Sequence, residues 1–114
     1  MKYGEVWLVN LDPTIGAEIK KTRPAVIVSN DLLGKLPLKI VVPITNWDEK
    51  FDQADWHVHI LPTTANGLSK ESSADTYQVR SISEVRLIRK LGKLDSTILS
   101  RIQEGLRISL NLTS

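Results

Sequence analysis

The sequence predicts a mainly β domain: a small, strongly bent barrel or half-barrel with one helix packed across it. Three observations predict it. Short runs of strand-forming residues recur along the chain, bounded by Gly, Pro, Asn and Asp. Two of these runs, PAVIVS (24–29) and KIVVPIT (39–45), flank the turn-like stretch NDLLGKLPL, and Gly34 lies midway between Arg23 and Thr45. A hairpin with its tip at Gly34 would set those two residues side by side at one rim of a sheet. The clearest helical periodicity falls at the end of the chain.

Taken in order, GEVWLVNLDP reads as the first strand, stopped by an Asp-Pro turn signal. TIGAEIKKT follows as a polar, Gly-containing loop. Pro24 biases Arg23 towards an extended backbone, which holds the Arg at the junction of loop and strand. After the hairpin, residues 46–55 form a polar excursion carrying Trp47 and Phe51, read as a flexible loop or short helical turn. WHVHILP (56–62) is the next strand, and TTANGLSKESS is rich in turn formers. TYQVRSI reads as a strand that breaks at SISE, a short capping pattern. VRLIRKLGKL is the last strand, with a turn or bulge at Gly92. Asp95 then caps a helix whose Ile98, Leu99, Ile102, Leu106 and Leu110 share one face.

Composition narrows the function. The chain has 114 residues, enough for one domain with a single core. There is no Cys, which excludes thiol catalysis and disulfides, and the two His make a conventional zinc or iron site unexpected. No N-terminal stretch reads as a signal peptide and no run is long enough to span a bilayer, so the expected location is cytoplasmic, with no membrane partner. Net charge is only +2, but Lys20, Lys21 and Arg23 gather three cations just before a strand.

At this level the chain resembles the MazF/PemK family of toxins, the endoribonuclease members of type II toxin–antitoxin pairs. The resemblance begins with GEVWLVNLDPTIGAEIKKTRPAVIVSND and continues through VVPIT and QVRSIS to the Leu-Gly-Lys-Leu segment and the final helix. No single motif is decisive; their order and spacing over one domain carry the match. The resemblance implies an SH3-like barrel over residues 1–114, a homodimer, and cleavage of single-stranded RNA at short sequences with no metal or other cofactor. It also implies 2′,3′-cyclic phosphate and 5′-OH products, and inhibition by a cognate MazE-like antitoxin. It places the family's catalytic Arg on Arg23 and its catalytic Thr on Thr45.

The residue chemistry fits those roles. Attack by the substrate's own 2′-OH needs proton transfer at two oxygens and stabilisation of the charge gathering on phosphorus oxygens. Arg23 offers a planar fork of donors that stays protonated, and Thr45 a short, orientable hydroxyl. The plainer readings are a surface salt bridge for Arg23 and a backbone-satisfied hydroxyl for Thr45. Glu18 is a candidate base or a partner that orients Arg23, against an ordinary solvated acid. Lys20 and Lys21 suit flanking phosphates. Gln78 could read a base edge, though pinning a loop is the favoured reading, and Asp75 is a weaker candidate beside the cut. Trp47, with Phe51, could stack on unpaired bases or cover the barrel's end. His57 and His59 alternate on one face and are read as structural. The rival functions are a non-enzymatic, CcdB-like gyrase-binding toxin, disfavoured by a C-terminal NLTS in place of Trp, and a non-cleaving RNA-binding module.

Overall fold

The computed structural model describes residues 1–113. Among these the order is β1 (Glu5–Asn10), β2 (Thr22–Ile27), β3 (Leu38–Asn46), β4 (His57–Ile60), β5 (Ser72–Asp75), β6 (Arg80–Ser83), β7 (Leu87–Lys93) and α1 (Ser96–Ser109). Every strand pairing is antiparallel, in the spatial order β4-β5-β3-β2-β1-β7, with β6 also paired to β3. The mainly β class with one C-terminal helix is as the sequence predicts.

The hairpin has the predicted register. β2 and β3 pair Ala25 with Pro43, Val26 with Val42 and Ile27 with Val41, so the same spacing continued sets Arg23 opposite Thr45. Gly34, with φ of 92°, stands in the connecting turn. The N–H of Val28 donates to the carbonyl of Ile40 at 2.8 Å, so even-numbered residues of β3 turn their backbone groups towards β2. That alternation aims the nitrogen of Pro24, which has no hydrogen to give, at Ile44, and the ladder stops after Ala25–Pro43. Beyond this point β3 pairs along its other edge with β5, Thr45 opposite Ser73. The Arg23–Thr45 rim therefore opens because a proline ends the ladder there.

Both faces of β2 and β3 are buried. Val6, Val26, Val42 and Ile44 join β4, β5 and the helix in one core, into which Ile98, Leu99, Ile102 and Leu106 pack. Val9, Leu11, Ala25, Ile27, Val41 and Ile82 form a second core inside the curl of the sheet. The helix starts as predicted, with the Asp95 carboxylate accepting from the N–H of Ile98 at 2.9 Å. Leu110 departs from the prediction: it terminates the helix and is 53% exposed, because the turn there carries it past the end of the core.

Two strand assignments change. Ser72–Asp75, read as turn-forming, is a buried central strand between β3 and β4. Thr76–Gln78, read as strand, is a 3-10 turn capped by the Asp75 carboxylate, and β6 begins only at Arg80. At the other end, β1 and β7 pair with register shifts that leave Leu91 and Ile88 unmatched, which puts the predicted irregularity beside Gly92. The outer strands β4 and β7 do not pair with each other. They are joined through the 63–67 loop, where the N–H of Lys93 donates to the carbonyl of Ala65 at 3.0 Å. No helix among the described residues is long and apolar enough to cross a membrane.

Candidate active site

The loop between β1 and β2 presents three of the predicted site residues, Glu18, Lys20 and Lys21, and leads into Arg23, and side chains from four directions hold it. At its base the N–H of Leu11 donates to the carbonyl of Lys21 at 2.9 Å. The Asp12 carboxylate accepts from the N–H of Lys21 and the hydroxyl of Thr14, both at 3.1 Å. That backbone bond from Lys21, with the Thr14 hydroxyl and the charges of Lys20 and Lys21, holds the Asp12 carboxyl below its ordinary range. At the tip, Glu18 Oε1 accepts from the N–H of Ile15 at 2.6 Å. From across the fold, Gln78 Oε1 accepts from the N–H of Ile19 at 2.6 Å, while its Nε2 donates to the carbonyl of Ala17 at 3.4 Å. Arg80 Nη1 donates to the carbonyl of Leu11 at 3.2 Å, and Arg86 Nη1 to that of Asn10 at 3.1 Å, behind the loop.

This bracing ends at Arg23. Its Nε donates to the carbonyl of Lys20 at 3.4 Å, the only protein hydrogen bond of its side chain, and no carboxylate lies within ion-pair distance among the described residues. The terminal fork is therefore unspent. Glu18 does not pair with Arg23; one of its oxygens closes the loop tip instead. Thr45, half-buried, likewise makes no side-chain hydrogen bond among the described residues. Lys20 and Lys21 are exposed, and Lys21 adopts φ of 71°, a turn that carries the chain into β2. An unspent guanidinium and an unspent hydroxyl at one open rim, flanked by two lysines, can bind a phosphodiester.

Gln78 bonds the loop on both sides of Glu18. Behind it lies Asp75, 8% exposed, whose Oδ1 accepts from the N–H of Tyr77 at 3.1 Å and whose Oδ2 accepts from Gln78 Nε2 at 3.3 Å. His57 sits 3.9 Å from the same Oδ2, and its Nδ1 is 2.7 Å from the Ser73 hydroxyl. Burial pushes the His57 pKa down, against the upward pull of Asp75. A continuous chain of polar contacts thus runs from Ser73 through His57, Asp75 and Gln78 to the loop.

The aromatic residues fall differently from expectation. Trp47 stacks on His59 with centroids 3.8 Å apart, and Phe51 stacks on His57 at the same separation. One face of each predicted stacking residue is therefore already covered, which explains how two adjacent histidines and a polar loop pack together. The aromatics with open surface are ones the sequence reading passed over: Tyr77, 71% exposed, and Trp56, 39% exposed, with centroids 6.4 Å apart. The available signal was scarcity, since the chain holds only six Phe, Tyr and Trp residues, and weighing all of them would have included these two.

Known proteins share this sequence pattern and fold over nearly the whole chain. The family profile described as PemK-like, MazF-like toxin of type II toxin-antitoxin system matches residues 2–110. The chain is 36% identical to Endoribonuclease MazF9 of Mycobacterium tuberculosis over 120 aligned positions, covering 100% of this chain and 99% of the relative. In fold it is similar to Mycobacterium tuberculosis toxin MazF-mt6, with a TM-score of 0.78 at 21% identity over 96% of this chain and 99% of that one. It is also similar to a mycobacterial endoribonuclease solved with its cognate antitoxin, with a TM-score of 0.76 at 17% identity over 98% and 96%.

Proposed function

Because the chain belongs to the PemK-like, MazF-like toxins of type II toxin–antitoxin systems, we propose that it is a sequence-specific endoribonuclease acting on single-stranded RNA through the substrate's 2′-OH. The 2′-oxygen forms a bond to the adjacent phosphorus, the bond from phosphorus to the 5′-oxygen breaks, and a 2′,3′-cyclic phosphate and a 5′-OH result. Arg23 stabilises the charge on the non-bridging oxygens, and Thr45 donates to the phosphoryl group and holds it in line. Glu18, with one oxygen bound to Ile15, has a second that can accept the 2′-OH proton, and the departing 5′-oxygen takes its proton from water. Lys20 and Lys21 hold neighbouring phosphates. Gln78 and Asp75 serve RNA through the loop they brace, and Trp47, stacked on His59, flanks the groove as a candidate base contact. The active form is a cytoplasmic homodimer that a MazE-like antitoxin inhibits by covering the RNA groove.

The observation that carries this reading is the unspent Arg23 fork at the rim it shares with Thr45. Incubation of the purified protein with a long unstructured RNA in EDTA, followed by mapping of the new ends, tests it. Cuts at a short recurring sequence with cyclic phosphate ends are expected. Intact RNA across varied sequences rejects the enzyme, and cutting that survives both Arg23→Ala and Thr45→Ala rejects the site.

A further inference from the structure

Beside the braced loop lies a cleft of about 520 Å³, within the roughly 300–1,000 Å³ that ligand pockets occupy. Residues 17–19 form one wall, Tyr77 and Gln78 the other, with Pro43 and Arg80 between them. Pro43 is buried and stands two residues before Thr45 on the same face of β3, while the opposite wall belongs to the loop that leads into Arg23. The cleft therefore opens alongside the phosphodiester site.

Several of its polar groups are spent within the protein. The Gln78 amide is shared among Ile19, Ala17 and Asp75, Glu18 Oε1 is taken by Ile15, and Arg80 Nη1 by Leu11. Also open is the ring of Tyr77, 71% exposed, whose hydroxyl has no partner among the described residues, with Trp56 tilted against it at 57°. The backbone N–H of Tyr77 is tied to Asp75, so the ring stands on a fixed turn. An exposed aromatic on a fixed backbone, lining a cleft, binds a flat ring by stacking.

We propose that this cleft is a nucleobase subsite, in which Tyr77 stacks on one base of the single-stranded RNA next to the scissile phosphate. The assignment rests on the endoribonuclease reading, and it deepens it: Tyr77 supplies grip on one nucleotide through its ring face rather than through hydrogen bonds to the base edge.

The test measures binding and cleavage separately. Fluorescence anisotropy follows a short, labelled, unstructured oligoribonucleotide, and versions with one abasic ribose at each position in turn, bound to the Thr45→Ala protein. Adding Tyr77→Ala is expected to weaken binding about 5- to 140-fold, while Tyr77→Phe stays near the parent. An abasic ribose at one position should cause the same loss in the parent and no further loss with Tyr77→Ala. In the cleaving protein, Tyr77→Ala should lower kcat/KM by a similar factor at unchanged cut sites. Parent-like binding of every oligoribonucleotide by Tyr77→Ala, or abasic losses that add in full to it, overturns the subsite. If the wild-type protein cuts no RNA yet shows the Tyr77- and base-dependent binding, the subsite stands and the nuclease reading falls.

Discussion

Gln78 accepts a 2.6 Å hydrogen bond from the backbone N–H of Ile19, a contact between residues 59 apart in sequence. With the bond from Nε2 to Ala17, it fixes the far wall of the loop that carries Glu18, Lys20 and Lys21 towards Arg23. Gln78→Ala removes both bonds to the loop and the one to Asp75, at a cost of about 1–3 kcal/mol in stability. The larger effect is on geometry: kcat should fall roughly 10- to 100-fold with KM nearly unchanged. Amide exchange at Ile19 should speed up in the same variant. A raised KM with wild-type kcat and exchange would instead make Gln78 a base reader.

How far this arrangement could be read from the sequence depends on the range of the signal. The β2–β3 register was legible because two apolar runs and one central Gly are local features, and the structure reproduces it from Ala25–Pro43 to Ile27–Val41. The β5 strand was not. Ser72 and Ser73 look like turn formers, yet they are buried with Ala74 and Asp75 between β3 and β4. Ser73 and Asp75 tolerate this because His57, Tyr77 and Gln78 satisfy them, and those partners become visible only when the chain is folded. The same misreading hid Tyr77, which as a strand residue would have been one of an alternating row and as a turn residue projects into the cleft.

His57 makes the fold sensitive to mild acid. Its side chain is 7% exposed, and burial holds its pKa below the ordinary 6.5 despite Asp75. As pH falls through 6.5 the unfolded chain takes up this proton before the folded protein does. Stability from this group is therefore full above 6.5 and is lost progressively down to the lower folded value. His57→Phe keeps an aromatic ring against Phe51 and removes the titration. Denaturant unfolding between about pH 7.5 and pH 5.5 should show a shallower loss in the variant. It should also show a constant deficit of about 1–3 kcal/mol from the orphaned Ser73 hydroxyl. An unchanged pH slope would refute the linkage.

The joint between β7 and the 63–67 loop is built on two glycines. A Cβ at Gly67, where φ is 69°, would lie 2.0 Å from the carbonyl oxygen of Leu91, and one at Gly92 would lie 2.2 Å from that of Ala65. Both obstacles are backbone and cannot swing aside. Gly67→Ala and Gly92→Ala should each cost about 3 kcal/mol or more. Gly16 provides the comparison, since its φ of 60° is strained for Ala but nothing lies within 4 Å. Gly16→Ala should cost only about 1 kcal/mol. Equal denaturation midpoints for the three variants would mean that the joint does not hold the sheet's outer strands.

Arg23 and its two lysine neighbours carry the same charge but should fail differently. Lys20 and Lys21 are exposed point charges, whereas Arg23 is half-buried at the rim with a planar fork directed by its bond to the Lys20 carbonyl. A phosphate contact made through charge alone is a counterion-release term. Lys20→Gln and Lys21→Gln should each reduce the slope of log affinity against log salt by about 0.7 for single-stranded RNA. Neither should change kcat at saturating substrate, and Gln keeps a Cβ at Lys21, so the strained turn is perturbed no further. Arg23→Ala should lower kcat by about 10²–10³, as expected when a preorganised donor to the developing oxyanion is lost. Arg23→Lys should recover little of it, because an ammonium cannot bridge two oxygens as the fork does. Single-turnover cleavage and salt-dependent binding on the same RNA separate the roles. An Arg23→Lys protein that cuts at the wild-type rate would reduce Arg23 to one more phosphate anchor and move the chemistry to Glu18 and Thr45.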